Sequence, residues 1–212
     1  MKHLKLYEQF DENDPFGEEI EYIKQTFLSW LKNKYPDENT WDKITEIDCY
    51  NKQLTSLEGI ENLVNLKNLG CSNNCLTSLE GLEGIDNLVN LKWLNFSNNH
   101  LISLEGIENL VNLEWLNCWN NQLTSIEGIK LKNLVNLEWL NCSSNNLTSI
   151  EEIENLVSLK YLICSGNQLT SLEGIEDLVN LKYLNCQNNQ FTIKYKNYLR
   201  DYCKKRKIIS II

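Results

Sequence analysis

Little in this chain could be assembled into an enzyme. Histidine occurs twice, as His3 in the N-terminal tail and His100 at a variable position of a repeating unit, so neither a Ser/His/Asp nor a Cys/His arrangement is visible. The acidic residues recur with the chain's own period, and none stands apart as half of a general acid/base pair. Among nine glycines, Gly59, Gly81, Gly106, Gly128 and Gly174 each follow a glutamate. That setting suits tight turns better than a phosphate cradle. The eight cysteines show no C-x-x-C spacing, which argues against both a disulfide framework and a zinc site. No catalytic residue, cofactor or metal is therefore expected. No run approaches the ~18 apolar residues of a membrane span, and the opening residues MKHLKLYEQFDENDPF lack the apolar stretch of a secretory leader. A cytoplasmic location without membrane contact is the expectation.

What the chain has in place of a catalytic motif is a repeat. The segment LKWLNFSNNHLISLEGIENLVN (91–112) returns, slightly altered, from Ile44 onward, and an asparagine recurs at Asn74, Asn99, Asn121, Asn145, Asn167 and Asn189. Aligned on these, the units run 44–65, 66–90, 91–112, 113–136, 137–158 and 159–180, with a truncated seventh from Leu181. A skeleton L-x-x-L-x-L-x-x-N/C-x-L at a period of about 20 to 29 residues is the signature of the leucine-rich repeat. The expected fold is an α/β solenoid with a parallel β-sheet on its concave face and short turns or 3-10 helices on its convex face. Three regions are expected: residues 1–43 with a capping helix, the solenoid at 44–189, and a basic cap of helix and strand at 190–212.

Each repeat position has a physical task. Positions 1, 4 and 6, such as Leu113, Leu116 and Cys118, point inward, and positions 11, 14, 17 and 20 (Leu123, Ile126, Ile129 and, after an insertion, Leu134) line the opposite wall. One coil cannot bury its apolar side alone, so neighbours must stack and the ends need caps. The recurring asparagine, at position 9, is expected to satisfy backbone groups where the strand bends; Lys52 takes that place in the first repeat. Position 6 holds Cys49, Cys71, Phe96, Cys118, Cys142, Cys164 and Cys186. A place that takes cysteine or phenylalanine is a core place, and a row of inward thiols fits a reducing compartment. Cys75 and Cys203 lie outside the row and are the expected accessible thiols. At the N-terminal end Ile20, Ile23, Phe27, Trp30 and Leu31 recur at helical spacing behind Asp14 and Pro15, a helix to cover the first coil. At the other end IKYKNYLRDYCKKRK reads as a helix and IISII as a closing strand, its residues buried or paired.

Charge is uneven: −4 over residues 1–43, −11 over 44–189 and +6 over 190–212. The acids of the E-G-I-E connections (Glu58, Glu61, Glu105, Glu108, Glu173, Glu176) should form a solvated convex face, and such a body repels phosphate backbones, so no nucleic-acid partner is expected. Lys204 to Lys207 suit a helix C-terminus. On the concave side, positions 3 and 5 flank the buried position 4 and turn outward together. Position 3 reads Glu46, Asn68, Trp93, Trp115, Trp139, Tyr161, Tyr183, and its last five members are expected to form one aromatic stripe. Position 5 places Asn95, Asn117 and Asn141 beside it, and Trp119 at position 7 extends the aromatic area toward one rim.

The units N-x-L-T-S-L-E-G-I-E-N-L-V-N-L-K-x-L resemble the 22-residue leucine-rich repeats of internalins and of a nuclear regulator of protein phosphatase, over about 145 of the 212 residues. The cysteine- and asparagine-rich version, L-N-C-S-N-N-Q-L, resembles repeat proteins of giant DNA viruses of amoebae, which implies a viral protein working in the host cytoplasm or the virion. The shared residues are scaffold, so the resemblance implies protein binding and transfers no binding residue. The expected function is a non-enzymatic interaction module that meets a protein partner through Trp93, Trp115, Trp139, Tyr161, Tyr183, Asn95, Asn117, Asn141 and Trp119. A structural or self-associating protein and a glycan binder are the alternatives.

Overall fold

The computed structural model of the protein describes residues 26–79, 85–126, 133–150 and 153–212. Positions 3 to 5 of each repeat form a three-residue strand: β1 (Glu46–Asp48), β2 (Asn68–Gly70), β3 (Trp93–Asn95), β4 (Trp115–Asn117), β5 (Trp139–Asn141), β6 (Tyr161–Ile163) and β7 (Tyr183–Asn185). An eighth, β8 (Ile209–Ile211), follows the repeats. The strands pair in chain order, all parallel, with equivalent repeat positions opposite each other from β1 to β7. This is the expected leucine-rich-repeat solenoid. Strands this short have no independent stability, which comes from stacking coil on coil.

Inward positions behave as the repeat requires: Leu113, Leu116, Cys118, Leu123, Ile126 and Leu134 are all buried, and the core runs unbroken from Phe27 to Ile208. Ile129 lies outside the described residues, as do Gly81 and Gly128. The convex side returns through 3-10 turns such as Ile60–Asn62, Ile107–Asn109 and Ile175–Asp177. Gly59, Gly106 and Gly174 enter them at φ +100°, +104° and +85°, a conformation that strains any side chain. The acidic row is only partly solvated. Glu58, Glu105, Glu173 and Glu176 are exposed, but Glu61 and Glu108 are half-buried and fold back to accept the N–H groups of Gly59 and Gly106 at 2.9 and 2.8 Å.

The position-9 asparagines do what their spacing predicts. The Oδ1 of Asn121 accepts the N–H of Leu101 in the preceding coil, while its Nδ2 donates to Phe96 O of that coil and Cys118 O of its own, each at 3.0 Å. Asn74, Asn99, Asn145, Asn167 and Asn189 repeat the scheme. Lys52 holds the place in the first coil, where no earlier coil offers groups to bridge; its own N–H goes to Asn74.

Two further asparagine positions carry structure. Position 8 is left-handed in every coil, at Asn51, Asn73, Asn98, Asn120, Ser144, Gly166 and Asn188, and asparagine tolerates that region better than most residues. At the last repeat position Asn65, Asn90, Asn112, Asn136 and Asn180 donate to a carbonyl of the preceding turn.

Both ends are covered. Helix α1 (Phe27–Lys34), capped by Thr26, buries Phe27, Trp30 and Leu31. It reaches the first coil so closely that a Cβ on Gly59 would meet Leu28 Cδ1 at 2.8 Å. Asp14, Pro15, Ile20 and Ile23 lie outside the described residues. Helix α2 (Ile193–Arg206) closes the other end with the hydroxyl of Tyr195 accepting from Leu172 N, that of Tyr202 donating to Ile175 O, and Arg206 donating to Val179 O. These side chains satisfy backbone groups that a further coil would otherwise take. In β8 the strand is paired and Ile208 is buried, but Ile209 and Ile211 face outward, 69% and 42% exposed. The expected accessibility of Cys203 is not found: it is buried, because it lies one helical turn from Leu199 on the face of α2 that packs on the core.

Replacing Asn121 by alanine strands one buried N–H and two buried carbonyls at about 1 to 3 kcal/mol each. Asn121→Ala is therefore expected to lose at least ~3 kcal/mol in urea unfolding, and Asn112→Ala, at an exposed site, less than ~1 kcal/mol. Equal losses would show that the buried ladder is not what holds adjacent coils together.

Candidate functional site

Parallel register fixes the concave surface. Equivalent side chains of adjacent coils stand one strand spacing apart, about 4.8 Å, so identical residues must stack or splay. The indoles stack. Trp93 and Trp115 have ring centres 4.6 Å apart and planes 14° from parallel, and Trp115 and Trp139 are 4.3 Å apart at 7°. Tyr161 and Tyr183 form a separate tilted pair at 6.4 Å. The expected single stripe is thus a tryptophan triplet followed by a tyrosine pair. Stacking leaves the three indoles half-buried, whereas Tyr161 is 42% exposed. Trp119, 40% exposed, donates from Nε1 to Ser144 Oγ at 3.2 Å toward the rim.

The asparagine row beside the indoles has a task of its own. Asn95, Asn117 and Asn141 each accept the backbone N–H two residues on, at 3.0 Å, through Oδ1. This shapes the turn out of each strand. Among the described residues their Nδ2 groups form no hydrogen bond, so the row presents N–H donors beside flat apolar rings. Position 2 adds a charged row on the other side, Lys67, Lys92, Glu114, Glu138, Lys160 and Lys182, in which Lys92 pairs with Glu114 at 2.7 Å and Lys160 with Glu138 at 2.6 Å. Sequence reasoning passed over this row, though the alignment that revealed position 3 displays it. Also missed is a line of valines near the repeat end, Val64, Val89, Val111, Val135, Val157 and Val179, each at least 42% exposed.

The inward thiols face away from this surface. Burial raises the Cys142 thiol to about 12 and pushes those of Cys71, Cys118 and Cys164 well above the ordinary value. They are neutral, poorly nucleophilic core groups. Cys49 and Cys71 touch sulfur to sulfur at 3.3 Å. Cys75 alone is half-buried. The cysteines, aspartates, glutamates and histidines form no metal-ligating cluster among the described residues.

Two family models match this chain: Leucine Rich repeats (2 copies), over residues 42–84, 89–130 and 157–196, and Leucine rich repeat, over 111–169. More than half of the chain is matched, and it belongs to the leucine-rich-repeat family. Among solved structures it is similar to the functional domain of InlJ from Listeria monocytogenes, which includes a cysteine ladder, at 31% identity and TM-score 0.66 over 73% of this chain and 32% of that one. It is also similar to internalin C2 of Listeria monocytogenes (24% identity, TM-score 0.58, 73% and 76% covered) and to a leucine-rich-repeat protein of Leptospira interrogans (27%, 0.53, 81% and 55%). The chain thus spans about a third of the InlJ domain's length. No curated protein matches the sequence.

Native protein treated with Ellman's reagent is expected to react at Cys75 within minutes and at the ladder thiols and Cys203 only after unfolding. Rapid labelling of Cys118 or Cys142 would contradict the core assignment. Because burial makes the folded Cys71, Cys118, Cys142 and Cys164 thiols ionise above the unfolded value of ~8.5, their contribution to stability is complete below that pH and is lost as pH rises, toward about 12 for Cys142. The urea midpoint should fall from pH 8 to pH 10, and fall less steeply in Cys118→Val.

Proposed function

We propose that the protein is a non-enzymatic interaction module whose concave face, centred on Trp93, Trp115 and Trp139, binds a protein partner. The observation that carries this is the half-exposed indole triplet beside unpaired amide donors. Strand pairing does not require it: β1 and β2 carry Glu46 and Asn68 at the same position and pair in the same register. Large aromatic surfaces left open on a monomer mark interaction sites, and tryptophan and tyrosine dominate binding hot spots. Leucine-rich-repeat proteins are in general protein-interaction modules, which supports the partner class. The buried free thiols favour a reducing, cytoplasmic setting, and the resemblance to giant-virus repeats makes host or virion proteins the first candidates.

A self-associating protein is the second reading. It is favoured by Ile209 and Ile211, which carry the outward apolar surface to the open edge of the sheet at β8.

The test compares wild type with Trp93→Ser/Trp115→Ser/Trp139→Ser, both shown to fold by circular dichroism, in capture from candidate host lysate followed by titration of the purified partner. Loss of affinity by a factor of about 100 or more is expected, since each hot-spot residue contributes on the order of 2 kcal/mol. Unchanged affinity would move the binding site to the valine line or the acidic convex side. A dimer in light scattering that Trp115→Ser abolishes would favour self-association, and a positive glycan array lost in the triple variant would favour a sugar ligand.

A further inference from the structure

We propose that the N-terminal end of the concave face is a receptor for one arginine side chain of the protein partner, a proposal that rests on the concave-face reading above. The outward row at position 5 opens with Asp48 and Gly70 before its first asparagine, Asn95, and the φ of Gly70 lies outside the left-handed region, so backbone conformation does not call for glycine there. The missing side chain opens a notch of about 130 Å³ bounded by Glu46, Asp48, Tyr50, Asn68 and Trp93. A Cβ on Gly70 would stand 3.1 Å from Asp48 Oδ1 and 3.6 Å from Trp93 Cζ3. Any larger residue would therefore fill the space.

Three of these boundaries, Trp93, Glu46 and Asp48, select for a flat cation. Trp93 spends one ring face on Trp115, while its six-membered ring overhangs Gly70 toward the preceding coil, where Asn68 continues no stack. Glu46 and Asp48 occupy the two outward positions of β1, roughly 7 Å apart along the strand. Both are exposed, and neither forms an ion pair among the described residues, although Lys67 lies in the adjacent row. Asp48 commits Oδ1 to the N–H of Tyr50 at 3.0 Å, which leaves Oδ2 for a ligand. A guanidinium can lie on the indole face and donate to both carboxylates from one plane, whereas an ammonium is a compact, strongly hydrated point charge. In this arrangement the arginine becomes the next layer of the tryptophan stack.

The experiment is an NMR titration of isotopically labelled protein with N-acetyl-arginine-N-methylamide, its neutral citrulline isostere and the lysine analogue. Saturable shifts of the Trp93 indole N–H and the Tyr50 amide are expected with arginine, with affinity lower by about tenfold or more for the other two probes. Glu46→Gln/Asp48→Asn, which keeps an acceptor for Tyr50, should weaken arginine binding by a similar factor, and Gly70→Val should abolish it. Equal response to citrulline or lysine, or an undiminished response in Gly70→Val, overturns the proposal. The probe needs no partner: a null titration beside intact Trp115-dependent capture removes only the arginine site, and a positive titration without such capture removes only the wider reading.

Discussion

Everything in this solenoid depends on satisfying backbone polar groups where the chain leaves the sheet. A coil of about two dozen residues that spends only three on hydrogen-bonded strand carries many N–H and C=O groups into a dry interior, and each left unpaired there is costly. The position-9 amide solves this because it is at once acceptor and double donor, and because one side chain touches two coils. Adjacent repeats are therefore joined by directional bonds as well as by apolar contact. This fixes their register to the residue, and a fixed register is what lets side chains form columns.

From that register follows a division of labour along the repeat. Inward positions are constrained to apolar side chains: leucine or isoleucine at most of them, and cysteine or, once, phenylalanine at position 6. The left-handed position 8 holds only asparagine, glycine or serine. The outward positions 2, 3 and 5 are the ones the scaffold leaves most free, and there the chain shows uniformity in its middle and variety at its ends. Uniform tryptophan at three successive free positions, where glutamate and asparagine serve equally well for pairing, is the asymmetry on which a functional reading can stand.

Much of this was legible before any coordinates. The spacing of Asn74 through Asn189 set the strand positions, the inward rows and the identity of the outward columns, because a repeat converts one alignment into many contacts. What escaped it was whatever depends on a side chain's second partner. That Glu61 and Glu108 fold onto glycine N–H groups, that Cys203 sits on the inner face of its helix, and that the indoles stack as three while the tyrosines tilt apart are outcomes of local geometry that the period does not encode. The position-8 asparagines were readable in principle, since a left-handed residue in every coil leaves a column of asparagine, serine and glycine. They were hidden by the sheer number of asparagines, 31 in 212 residues, serving different purposes.

The stacked indoles have an optical consequence. Three chromophores at centre-to-centre distances of 4.6 and 4.3 Å, nearly parallel, are close enough for their electronic transitions to mix and for excitation to migrate among them. Trp30 and Trp41 are buried at the far N-terminal end, and Trp119 stands apart at the rim. The near-ultraviolet signal of the triplet is consequently a property of the concave face itself. Any molecule that wedges between two rings, or lies across them, changes the coupling directly, and the surface acts as its own unlabelled sensor of occupancy.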